Sequence, residues 1–177
     1  MVAAVYAGAL AAALFATGSA TAPGVSSLET VGEFAPPNAS VSSKAVTYNQ
    51  SLVPSGTWIR VRQQTQRNGA TTVQVRVTGI KAGHLFGVHV HQKACGADPA
   101  AAGSHYQDKA GTDSTHVNAA NEVWLDFKSD SHGGGMATAQ HTWTFRKGEA
   151  SSVVIHSEPG MKGSRVACFT VPFGETS

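Results

Sequence analysis

Charge is scarce in this chain. Asp, Glu, Lys and Arg make up 14% of its 177 residues, and their formal sum is +2. No dense Lys/Arg run is present, so nucleic acid binding has no footing. Such a weak positive balance favours small anions at most. Cysteine is scarcer still: Cys95 and Cys168 are the only two. No segment carries a convincing helical periodicity. Glycine, by contrast, is abundant, with 19 residues. Few charges and many glycines suit an all-β fold with many turns better than a helical bundle. The length is that of one domain.

Residues 1–22, MVAAVYAGALAAALFATGSATA, carry no charge and end in small residues. The stretch reads as a signal peptide, with cleavage after Ala20 or Ala22. The positive segment that usually precedes such a run is missing, which points to a start truncated or placed too far downstream. As a membrane anchor the run is only marginally long enough and weakly hydrophobic, so no stable membrane partner is expected. No Cys follows it, which excludes a lipid-modified N-terminal cysteine. The expected location is secreted, extracellular or within the cell envelope. An oxidising compartment would let Cys95 and Cys168 pair; two buried free thiols are the alternative. Monomer and homodimer are both compatible with the sequence.

Residues 23–44 are rich in Ala, Ser, Pro and Gly and read as a flexible leader. Ordered structure is expected over residues 45–174. Strands are expected at Ala45–Asn49, Thr57–Thr65, Thr71–Val77, around His89, and at Glu122–Lys128, Met136–Phe145, Ser151–His156 and Arg165–Pro172. Asn68-Gly69 reads as a hairpin turn, because Asn-Gly accepts positive φ. The alternation of Val73, Val75 and Val77 with Thr72, Gln74 and Arg76 gives a strand with one dry face. The result is an antiparallel barrel or sandwich of about eight strands. Residues 96–121 have no apolar periodicity, and a long irregular loop inside a compact domain is usually functional or disordered.

The segment Gly87-Val88-His89-Val90-His91 carries the chemistry. On a strand, His89 and His91 share one face while Val88 and Val90 point into a core. Imidazole is a common transition-metal ligand. His105 lies in the long loop, and His156 ends the apolar run Val153-Val154-Ile155, at a rim. Four histidines converging on one ion would make a nitrogen-only site suited to copper or zinc.

These residues fall into a familiar pattern. Gly87-Val88-His89-Val90-His91 resembles the copper/zinc superoxide dismutase motif G-[FV]-H-[VI]-H. Ala101-Ala102-Gly103-Ser104-His105-Tyr106 resembles that family's loop ligand, and Val153-Val154-Ile155-His156 its late strand ligand. Gly163-Ser164-Arg165-Val166-Ala167-Cys168 is similar to its closing motif. The order is the same, and the resemblance spans about Ala45 to Phe173. It implies a Greek-key antiparallel β-barrel with loops building the site outside it. It also implies copper on His89, His91, His105 and His156, and a Cys95–Cys168 disulfide. Arg165 would face the open copper position and attract superoxide, the substrate. A guanidinium always carries charge and can hydrogen-bond an anion beside a metal.

The chain departs from the family pattern in two places. The usual zinc site needs further histidines and an aspartate, but beyond His105 the long loop offers only His116. His132 lies in a Gly-rich turn. Copper without zinc is therefore expected, as in the copper-only branch of the family. A weaker zinc site of His105, His116 and Asp126 is the alternative. Without zinc, Glu122 or Asp126 would orient the copper histidines by accepting a distal imidazole proton. Both lie on the face opposite Val123, Leu125 and Phe127. Secondly, only residues 157–164 separate His156 from Arg165, which implies an open copper site with weak electrostatic steering. His84 and His141 match no family ligand and read as structural or surface residues.

Three functions compete on this sequence. The first is an exported copper-dependent superoxide dismutase. The second is a copper-binding or copper-buffering protein on the same barrel, and the third an inert structural domain. Arg165 and the paired cysteines favour the first, and the four histidines oppose the third.

Overall fold

A computed structural model describes residues 24–39 and 43–175. The expected signal peptide, residues 1–22, lies outside the described residues. The fold is all-β, with two antiparallel sheets. Its strands are β1 (Val25–Glu33), β2 (Ala45–Thr47), β3 (Trp58–Gln66), β4 (Thr71–Thr78), β5 (Leu85–His91), β6 (Phe127–Lys128), β7 (Gly134–His141), β8 (Ser152–His156) and β9 (Arg165–Thr170). One sheet has the order β1-β3-β4-β7, the other β2-β9-β8-β5-β6. The chain crosses repeatedly between them, in the manner of a Greek-key sandwich. Among the described residues no helix is long and apolar enough to cross a membrane.

Ile59, Val61, Val73, Val75 and Val77 from one sheet meet Val88, Val90, Val153, Ile155 and Phe169 from the other in one buried core. Alternation places them there: each strand sends every second side chain inward. In β4 the pattern is strict, with Thr71, Val73, Val75 and Val77 buried and the residues between them partly or fully exposed. The β3–β4 hairpin turns at Asn68-Gly69, where Gly69 takes φ +83°.

The leader expected over residues 23–44 is in part a strand. β1 pairs with β3 from Val25↔Gln66 to Glu33↔Trp58. Its composition hid it, because its inward face holds few apolar side chains. Leu28 packs on the core. At Gly32 a Cβ would lie 2.6 Å from the ring of Phe169. A glycine that read as linker is in fact the gap that a core aromatic fills.

The expected strand Glu122–Lys128 survives as a ladder only at Phe127–Lys128. Upstream, the chain makes isolated bridges, His89↔Trp124 and Gln107↔Glu122. The alternation still holds, with Val123, Leu125 and Phe127 buried. The ladder is interrupted because the Asp126 side chain, rather than backbone, accepts the Val88 N–H at 2.8 Å.

β5, β8 and β9 are buried along nearly their whole length on both faces. The core covers one face and the loop of residues 92–126 covers the other. Cys95 and Cys168 form a disulfide with a sequence separation of 73. It pins this loop to β9, and Ala102 and Val154 pack around it.

Candidate metal centre

His89 and His91 stand on the outer face of β5, fully buried beneath the loop. His156 ends β8, opposite Gly87, where a register shift between Ile155 and His156 turns the chain. Its position was expected to be a rim, but it is only 5% exposed, because the segment at Gly163 and the rings of His89, His91 and His105 pack around it. His105 reaches the cluster from the loop, through a bridge between its backbone and that of His91.

The four rings converge. His89 Nδ1 lies 3.1 Å from His105 Nε2, and His91 Nε2 lies 3.3 Å from His156 Nε2. One nitrogen each from His89, His105 and His156 falls within 4.8 Å of the others. His91 joins this trio through its contact with His156.

The acceptors beyond the opposite nitrogens assign the protons. His91 Nδ1 faces Gly103 O at 3.0 Å, and His156 Nδ1 faces Gly163 O at 3.0 Å. His105 Nδ1 faces Glu122 Oε2 at 2.8 Å. Carbonyls and carboxylates only accept, so these three nitrogens carry the hydrogens and donate outward. His89 Nε2 sits 3.0 Å from Asp126 Oδ1, off the line of a good hydrogen bond, and has no other partner. The carboxylate still favours the proton on that side. The free nitrogens of His89, His105 and His156 then face one another and that of His91 faces His156, a gathering of lone pairs that repels unless a cation lies among them. Neutral imidazole nitrogens gathered without protons fit copper or zinc.

Extra protons are disfavoured here. Burial, reinforced by the neighbouring His105, drives the His91 pKa down to about 2. Burial also lowers His156 to about 4, with His89, His105 and Arg165 adding to the effect. The carboxylates behave oppositely. Burial would raise Glu122 and Asp126, but hydrogen bonds outweigh it and hold both below the ordinary range. The donors are His105, Trp124 and Gln107 for Glu122, and the Val88 and Gly160 N–H groups for Asp126, which the His89 ring also faces.

Arg165 stands beside the cluster. Its guanidinium donates to Pro99 O at 2.8 Å and to Gly103 O at 2.6 Å, and makes no ion pair among the described residues. Gly103 O therefore accepts from both Arg165 and His91. A cleft of about 790 Å³, lined in part by His105, Glu122, His156, Met161 and Arg165, opens the cluster to solvent.

His116 is not brought to this site. It pairs with the exposed Asp113 at 2.9 Å. Asp126 serves His89, and Glu122 takes the His105 nitrogen that a second metal would need. Among the described residues His105, His116 and Asp126 do not form one ligand set. His84 Nε2 donates to Ser157 O, 2.8 Å away, and His141 is buried against Trp143. Sequence reasoning missed Gln107 and Trp124, which both bond Glu122. For Trp124 the only signal was its place between two carboxylates on the outward face.

No family model matches this sequence, and no curated protein matches it. Two solved structures of SOD-like protein from Bacillus subtilis are similar to it. One is a double mutant, 16% identical, covering 65% of this chain and 88% of its own, with a TM-score of 0.49. The other is a single mutant, also 16% identical, covering 67% and 90%, with a TM-score of 0.48.

Proposed function

We propose that this chain is an exported, copper-dependent superoxide dismutase of the copper-only kind. The observation that supports the reading is the gathering of His89, His105 and His156, with one nitrogen each within 4.8 Å of the others, and of His91 against His156 at 3.3 Å. His89, His91, His105 and His156 would hold the ion. Copper bound there supplies a one-electron couple, by which one superoxide is oxidised to dioxygen and a second is reduced, with two protons, to hydrogen peroxide.

The chain's own residues do the rest. Gly103 O, Gly163 O, Glu122 and Asp126 orient the rings. Arg165 brings a fixed positive charge to the cleft; one N–H of each terminal guanidinium nitrogen donates to a backbone carbonyl, which orients the group, and the remaining N–H groups would meet an anion. The disulfide supports an oxidising location. The motif order in the sequence points to the same family.

The test is superoxide consumption by the copper-loaded protein beside its Arg165→Ala variant. Turnover in the wild type is expected, with a loss of roughly tenfold or more in the variant at unchanged copper content. The wild-type rate should fall only shallowly with salt, since the short 157–164 loop adds little charge. A protein that binds copper tightly yet consumes no superoxide would be a copper-buffering protein instead.

A further inference from the structure

We infer that Trp124 and Gln107 are positioning residues that hold Glu122 in one orientation and thereby fix the ring of His105. This rests on the metal-site reading above. Glu122 is 1% exposed. A buried carboxylate is costly unless its oxygens are supplied with donors. Here three side chains supply them. Oε2 accepts from His105 Nδ1 at 2.8 Å and from Trp124 Nε1 at 2.9 Å, and Oε1 accepts from Gln107 Nε2 at 2.9 Å.

The two braces differ in what else they touch. Trp124 donates to the same oxygen that His105 uses, so the indole N–H determines where that oxygen sits. Its ring also rests on His89, with centroids 5.6 Å apart. One side chain thus packs against one imidazole and holds the acceptor of another. Gln107 uses both ends of its amide: its Nε2 donates to Glu122 and its Oε1 accepts the Gly111 N–H at 3.0 Å. The amide cannot flip without losing both bonds. Packing alone would require neither the indole N–H nor the amide. Neither residue lies in the motifs that carry the family resemblance.

The test uses Trp124→Phe and Gln107→Leu, alone and combined. Trp143→Phe is the control, since its indole donates to Ala120 O at 3.0 Å, away from the carboxylate. One readout needs no metal. Long-range proton–nitrogen spectra of the metal-free full chain should show His105 as a single Nδ1–H form in the wild type. That form should become mixed or fast-exchanging in Trp124→Phe and stay unchanged in the control. The second readout is copper(II) affinity by chelator competition, with the electron paramagnetic resonance spectrum. Each single variant should bind about tenfold more weakly, the lower end for residues behind the ligands, with a changed nitrogen hyperfine pattern.

The inference is overturned if His105 keeps one form in every variant and affinity stays within twofold. A loss of equal size in Trp143→Phe would also overturn it, as general loosening. If the wild type takes up no copper while the His105 signal still depends on Trp124, the metal reading fails and the brace stands.

Discussion

The two sheets face the same core but differ on their outer sides. The β1-β3-β4-β7 sheet is open to solvent outside, and its strands alternate between less and more exposed residues, with the inward ones buried in β3 and β4. The β2-β9-β8-β5-β6 sheet is covered outside by the loop of residues 92–126, and β5, β8 and β9 are buried on both faces. That second covering removes the water that would otherwise solvate His89, His91 and His156. With water gone, each ring needs a polar partner in its place. The covered sheet therefore gives up apolar packing for a polar cluster, and the open sheet supplies regular stability.

Removing the disulfide should break the difference most. Chain entropy over a separation of 73 residues gives about 4 kcal/mol. At about 2–4 °C per kcal/mol for a domain of this size, Cys95→Ser with Cys168→Ser should melt roughly 10 °C lower. Hydrogen exchange should quicken in β5 and β8 more than in β3 and β4. Equal quickening in both sheets would show that the loop needs no clamp.

Acid should act next, again through the covered sheet. His91 and His156 keep pKa values near 2 and 4 when folded, against about 6.5 unfolded. Below pH 6.5 the unfolded chain binds protons that the folded chain refuses, so stability falls as pH falls. The loss continues to about pH 4 for His156 and further for His91. His141, also lowered by burial, pushes the same way. Glu122 and Asp126, held below their ordinary range, add to the loss once the pH drops under about 4.5. The expected slope is on the order of 1 kcal/mol per pH unit for each refused proton. Denaturant melts of the metal-free protein at pH 7.5, 6 and 5 measure it, and a flat profile would contradict the lowered pKa values of His91 and His156.

The smallest effect should come from the open sheet. Ile59→Val removes one buried methylene from β3 and should cost about 1 kcal/mol while leaving copper affinity unchanged. A copper affinity that followed this substitution would show the two sheets acting as one unit.

How much of this could be read from the sequence follows the same division. Period-2 alternation located β4 and placed His89 and His91 on the face away from Val88 and Val90, because alternation depends only on backbone geometry. It likewise put Glu122 and Asp126 opposite Val123, Leu125 and Phe127. β1 was not legible, since an edge strand held by ladder bonds, with Gly32 yielding space to Phe169, has the composition of a linker. The outward partners of His91 and His156 were not legible either. They are the carbonyls of Gly103 and Gly163, and a backbone oxygen leaves no mark on the identity of its residue. The burial of His156 went unseen because it depends on segments far away in the chain.

On the proposed reading, four imidazole nitrogens meet at one cation. Titrating the full metal-free chain with copper(II), while recording the electron paramagnetic resonance spectrum, tests it most directly. One tightly held equivalent with nitrogen hyperfine from four imidazoles, losing a nitrogen in His105→Ala, is the predicted result. Uptake of no copper, or a spectrum that His105→Ala leaves unchanged, would contradict it.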